Sequence, residues 1–540
     1  MVLVFYLKHS YIIGCCNYVK DFAMASQTFH HNKKTGVTYV YSVQSYWDKE
    51  KKAPRNKQVC IGKLDKTTGE VIPSQRKRKT LERAVAAGVA VTARVAGPSL
   101  LLDNLSQETG LTSLVNRCFP EFAAEMMSLV YFIVQKGLPL SRSEPWSMGH
   151  LHPSGGLIAS QRVSELLLKI TEDQRQKFLS LWLEKMTEHD YLCYDITSIS
   201  SYSRGNEYVK YGYNRDGEPL PQINLAMLFG QKSRLPAYYR RMQGNITDVA
   251  TLKTTIKALD FLGSKTMHFI LDRGFYSEAN VDEILKRRHH FTIGVPIGRK
   301  WVEALIDRHY ESITSLEHYR QIDDSESLYV VSELRKWGED NRRTYLHIYY
   351  NARQAADEVD RFTRELLLRK EELESGHRDK AKEEYYARFF LIKETPKRGL
   401  RVVFNDTEIQ KHRKRYAGFF CILSTAIKDP METLRVYRAK DAVENSFDDL
   451  KNHLDMKRLR IHTSAAMDSR LFLQFLSLIL ICRIRNTIQE DKILKNLTVR
   501  EVMEEMETLV KITYSGRYGQ VYTENSPIQR KIMEAFAITL

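Results

Sequence analysis

Leu192-Cys-Tyr-Asp195-Ile-Thr-Ser-Ile-Ser200 and Met267-His-Phe-Ile-Leu-Asp272 are the two stretches on which the reading of the fold turns. Each is a short run of apolar and β-branched residues of strand length that carries one carboxylate. Asp195 sits inside its run, where β-propensity disfavours it and burial without a cation is costly. Asp272 ends its run and is followed by Arg273-Gly-Phe. Around them, 222–229 and 235–242 read as further strands, 249–261 as a helix, 277–287 as another helix and 290–295 as a fifth strand. Carboxyl ends of strands in α/β sheets are where ligands gather.

The order of three strands, a helix, a strand, a helix and a strand is that of a ribonuclease-H-like (RNase H-like) α/β sheet, with Asp195 on its central strand and Asp272 at the end of the neighbouring one. A third carboxylate lies far downstream, in Tyr437-Arg-Ala-Lys440-Asp-Ala-Val-Glu444-Asn-Ser-Phe-Asp-Asp-Leu-Lys451. Read as one helix, Tyr437, Lys440, Glu444 and Lys451 share a face over ~21 Å, beside an apolar stripe of Val443, Phe447, Leu450 and Leu454. Alone, that stretch reads first as an amphipathic surface helix with a charged face, and the two upstream carboxylates overturn that reading. Three converging acids repel one another, and a pair of hard divalent cations with oxygen ligands resolves the conflict. Mg²⁺ is the natural occupant of such a site, with Mn²⁺ as a substitute, and two metals there would support in-line phosphoryl transfer.

Bulk composition agrees with a polyanionic partner. The chain has 540 residues, a net charge of +16 and a pI near 9.3. Basic residues cluster at 49–57, 76–79, 286–288 and 411–415, which suits phosphate tracking along nucleic acid, although each cluster alone reads as a solvated face. The 7 cysteines include no C-x-x-C pair, which points to a reduced intracellular protein without structural zinc. The apolar run 471–482 is too short to span a bilayer and suits the core of a buried helix read over 465–484. The first 25 residues lack a basic start before their apolar patch, so an over-extended reading frame beginning truly at Met24 explains them as well as a signal peptide does.

These readings divide the chain into a leader (1–35), a basic β-rich module (36–97), a helical DNA-binding or dimerisation region (98–190), the first part of the catalytic core (191–296), a mixed, mainly β insertion subdomain (297–430), the second part of the core (431–490) and a helical tail (491–540). The helices of 98–190 carry no readable recognition motif, and a packing module fits them equally.

The residues quoted above also carry a resemblance. The sequence resembles the DDE transposases of bacterial insertion sequences, in particular the insertion sequence four family, whose signature is Tyr, two residues, Arg, three residues, Glu, six residues, Lys. Tyr437, Lys440, Glu444 and Lys451 keep that spacing, with Lys440 in place of Arg; Lys retains the charge and loses the planar bidentate fork. The resemblance extends from about residue 36 onward. It implies Asp195, Asp272 and Glu444 as catalytic residues and metal ligands, and Tyr437, Lys440, Lys451 and Arg273 as DNA contacts. It implies double-stranded DNA as partner, both terminal inverted repeats and target, a homodimer on paired ends, and cut-and-paste movement through a hairpin intermediate, in the cytoplasm, with no membrane and no nucleotide cofactor. An aromatic of the insertion would stack on a flipped base; Trp337, Tyr349 and Tyr416 are the candidates, and each by itself reads first as a core aromatic. The competing functions are an RNase H-like nuclease or resolvase without strand transfer, and a domesticated, inactive DNA-binding protein.

Overall fold

The computed structural model describes residues 26–48, 53–65, 69–73, 91–187, 191–203, 205–262, 266–395, 399–440, 447, 450–451, 454, 458–459, 461, 463–515 and 519–540. Two compact units are distinguished, residues 1–92 with 513–519, and residues 93–512 with 520–540.

In the first unit, β1 (Ser26–Asn32), β2 (Val37–Asp48), β3 (Ala53–Leu64) and β4 (Val71–Pro73) form an antiparallel meander in that order. Val40 and Val43 are its only buried apolar residues among those described, and Phe29 and Trp47 stand exposed. The alternation of 37–43 explains the strand, but its two faces are almost equally wet, so side-chain burial contributes little here and the ladder hydrogen bonds carry the register. The described strands begin ten residues before the expected module.

The second unit starts with helices, among them α1 (Ala123–Lys136) and α2 (Glu172–Thr187). Gly137 caps α1 in the left-handed conformation at φ 55°, the usual role of glycine past a helix end. The central sheet follows. Its strands are β5 (Leu192–Ser201), β6 (Gln222–Gly230) and β7 (Pro236–Gln243), then, after α3 (Asp248–Phe261), β8 (His268–Leu271), and after α4 (Glu278–Lys286), β9 (His290–Val295). Ser277 caps α4, its side chain accepting from the Asn280 amide at 3.1 Å. In space these five strands run β7-β6-β5-β8-β9, antiparallel between β7, β6 and β5 and parallel between β5, β8 and β9.

The segment expected as a separate insertion largely extends this sheet. β10 (Tyr319–Gln321), β11 (Ser327–Trp337) and β12 (Arg342–Tyr350) continue it beyond β9 through a later strand. Only 352–414 forms a lobe with its own apolar core. It comprises α5 (Ala352–Glu374), α6 (Glu383–Phe389), the hairpin β13 (Phe390–Thr395) and β14 (Gly399–Phe404), and α7 (Asp406–Lys414), closed over Leu366, Leu373, Tyr386 and Phe389. The joining strand is β15 (Phe419–Ser424), antiparallel to both β9 and β12. The mainly β character expected for the insertion therefore belongs to the sheet, and the lobe is mixed.

After β15, α8 (Pro430–Arg438) starts under an Asp429 cap with Pro430 in its first turn, where proline's missing N–H costs nothing. The helix expected over 437–451 thus has its first part as the end of α8. Two residues of β16 (Arg458–Leu459) pair parallel to the end of β5. The last large element is α9 (Ser464–Glu490), apolar and buried for most of its length, packed against α1 and β7. It is the one helix among the described residues long and apolar enough to cross a membrane, and 83% of its most apolar window is buried inside the protein. One continuous core runs from Leu101 to Ile538, so the N-terminal helices and the sheet share it.

Candidate active site

β5 is buried at every position except Asp195, which is half-buried. The exception has a structural cause. Register between the parallel strands pairs Tyr194 with Leu271, so the next residue on each strand, Asp195 and Asp272, falls in the same row. Residues level on adjacent parallel strands point to the same face, and the two carboxylates therefore meet beyond the ends of the apolar pairs.

Burial pushes the Asp195 carboxyl up to about 6; the Ile196 amide, which donates to its Oδ1 at 2.7 Å, and the Arg215 guanidinium pull the other way, and the Asp272 charge adds to the rise. Asp272 goes in the opposite direction. Its partial burial works to raise the carboxyl, but the Lys440 ammonium, the Tyr437 hydroxyl and the Arg273 backbone N–H together hold it below the ordinary carboxylate range. Tyr437 donates to Asp272 Oδ1 at 2.9 Å, and Lys440 Nζ lies 3.3 Å from the same oxygen. Both come from the end of α8 and the turn after it, so the helix delivers them as a pair.

Gly294 on β9 makes that approach feasible. A Cβ there would stand 2.5 Å from the Tyr437 hydroxyl and 3.1 Å from the Arg273 amide nitrogen. A glycine inside a strand marks such close approach, and this was the sequence signal by which the residue could have been found. Asp272, Arg273, Gly294, Tyr437 and Arg438 line one cavity of about 270 Å³. Arg438 is also held by a bidentate pair with Glu326 at 2.6 and 2.7 Å.

The other expected residues are placed as follows. Arg273 has an exposed side chain. Lys451 is mostly buried and paired with Asp216 at 2.6 Å, in the loop between β5 and β6. The same loop supplies Arg215, bound to Asp248 at 2.6 Å. Neither Arg215 nor Asp216 stood out in the sequence, since a loop pairing with an element more than thirty residues away leaves no local signal. Glu444 lies outside the described residues. Trp337 is core, its indole N–H donating to Asp282 at 2.7 Å, and Tyr349 is core, stacked on Phe420 with its hydroxyl donating to the Pro430 carbonyl. Tyr416 is half-buried with φ 62° and donates to Asp307 at 2.7 Å.

Among the described residues, no group of three or more His, Cys, Asp or Glu side chains is gathered to hold a metal. The pair that is described nonetheless suits a hard cation. Two carboxylates in one row, one of them raised by burial and by the other's charge, leave a negative site that Lys440 compensates only in part.

No curated protein matches the chain. Among solved structures, it is similar to a piggyBac transposase in a synaptic complex with hairpin DNA, at 10% identity and a TM-score of 0.34, over 75% of this chain and 70% of that one. A family model described as the transposase DDE domain matches residues 187–480, more than half of the chain, and this span contains both carboxylates, Tyr437 and Lys440. The chain belongs to the transposase DDE-domain family.

Proposed function

We propose that the protein is a DNA transposase which binds the terminal inverted repeats of its own insertion sequence, cuts there and joins the ends to target DNA by cut-and-paste transfer. The observation that carries the reading is the level placement of Asp195 and Asp272 on neighbouring parallel strands, with Tyr437 and Lys440 converging on one oxygen of Asp272. The strand order β7-β6-β5-β8-β9, with its antiparallel and parallel halves, supports an RNase H-like core. Family membership supports DNA as the partner and a divalent metal as the cofactor.

In this proposal Asp195, Asp272 and Glu444 hold two Mg²⁺ ions, with Mn²⁺ as a substitute. When bound, the metal ions supply an acidified water or 3′-hydroxyl and neutralise charge on the phosphate. The chain's own residues prepare that chemistry. The Ile196 amide fixes one oxygen of Asp195, which lies on β5, and Asp272 follows directly on the last residue of β8, so the sheet positions both carboxylates. Tyr437 and Lys440 converge on Oδ1 of Asp272 and orient that carboxylate. When DNA is present, the same two side chains stand beside the carboxylates, where they and Arg273 would meet the terminal phosphates. Lys451, anchored by Asp216, adds positive charge at the margin. A homodimer on paired ends completes the reading.

The test is incubation of the purified protein with Mg²⁺ and linear DNA bearing the inverted repeats that flank its gene. The expected outcome is cleavage at the repeat ends followed by joined strand-transfer product. Cleavage that never proceeds to joining would instead identify a nuclease or resolvase.

A further inference from the structure

A basic cavity lies away from the carboxylates. It wraps the free edge strand β7, between α2, α3 and the start of α9, with a volume of about 530 Å³. β7 is the last strand of the sheet, and its alternation sends side chains to both faces. Tyr238 and Arg240 go to the side of α3, where Lys257 and the strongly exposed Phe261 stand; Arg241 goes to the side of α9. None of Asp195, Asp272, Tyr437 or Lys440 lines it.

Its charge balance is uneven. Four cations line the cavity against two acids, Glu172 and Asp468. The acids are already engaged. Arg175 is 7% exposed and bonds Glu172 and the Ile170 carbonyl, at 2.9 Å for the latter. Arg241 pairs with Asp468 at 2.9 Å and lies 3.6 Å over the Tyr208 ring. These bonds build a fixed wall. Arg240, whose bond is to the Tyr238 hydroxyl, and Lys257 face the cavity with no ion-pair partner among the described residues. A concave site with a buried, oriented guanidinium wall and two uncompensated cations is built for a phosphate group.

We infer that this cavity holds a backbone phosphate of DNA, as a second anchoring point separate from the carboxylates. The inference rests on the transposase reading. The ladder sets Asp195 level with Met227 and Tyr239, so Asp195 shares its face of the sheet with Arg241 while Arg240 faces the other way, and a polynucleotide that reaches both passes around the edge strand β7. The exposed Phe261 at the mouth offers an apolar face beside the sugar or base next to that phosphate.

The salt dependence of binding to a random-sequence duplex tests this, because each neutralised phosphate contributes about −0.9 to the slope of log Kobs against log salt. The Arg240→Gln/Lys257→Gln variant is expected to bind more weakly with a slope shallower by about 0.9, one phosphate lost, and Arg240→Lys/Lys257→Arg is expected to restore both. Lys257→Gln alone, at an exposed position, repeats the test if the double variant melts early, and is expected to weaken binding in the same direction. A wild-type slope and affinity in these variants would overturn the inference while leaving the transposase reading intact. Failure of the unmodified protein to bind any duplex would sink the transposase reading itself.

Discussion

At the scale of single residues, the site depends on one absent side chain. Gly294→Ala places a methyl group within 2.5 Å of the Tyr437 hydroxyl and pushes it off Asp272. Losing one such hydrogen bond is worth about 1.4 kcal/mol, so cleavage is expected to slow by about tenfold, and the melting temperature is expected to fall because the Arg273 backbone, 3.1 Å from the new methyl group, must give as well as the ring tip. Comparing cleavage rates and thermal melts of the variant and the parent protein checks both halves. Lys440→Arg keeps the charge and adds the bidentate fork, so binding to the element's ends should be preserved or strengthened; a marked loss in a gel-shift titration would show that the position does not meet phosphate. Asp195 and Asp272 stood out in the sequence because a carboxylate in or at the end of an apolar strand is a local anomaly. Gly294 and the Arg215–Asp216 loop did not, because their meaning is a distance to residues far along the chain.

At the scale of elements, strands and helices were easier to read than their partners. β5 and β8 were legible from β-branched runs, and α9 from its apolar run, expected over 465–484 and found to continue to Glu490 over 27 residues. The 297–430 segment was misjudged as one subdomain because hydrophobic alternation tells that a strand exists and not which strand it joins. β11, β12 and β15 extend the central sheet, and only 352–414 stands apart with its own core. The start of α8 is legible in Asp429-Pro430, a cap followed by proline, upstream of the helix expected from Tyr437. The separate core of the lobe has a measurable consequence. Phe389→Ala should cost about 3–5 kcal/mol locally, and hydrogen exchange should quicken in α5, α6 and the β13–β14 hairpin while β5 and β8 stay protected.

At the scale of the whole molecule, stability should depend on pH through two histidines buried in the sheet. Burial pushes His268 down to about 3 and His347 down to about 4. Each therefore binds a proton more readily unfolded, near pH 6.5, than folded, so the stability is fully present above that value and is lost as the pH falls toward the folded values. Between pH 7 and pH 5 the loss is about 2 kcal/mol per histidine. Thermal melts at the two pH values should show it, and His268→Asn or His347→Asn should flatten the difference. The central claim is that the level pair of carboxylates on β5 and β8 performs the chemistry. It is tested most directly by cleavage of linear DNA carrying the element's terminal repeats, in the presence of Mg²⁺, by Asp195→Ala and Asp272→Ala variants whose end binding is measured in parallel. The account predicts that both variants bind the ends and cut nothing; full cleavage by either would contradict it.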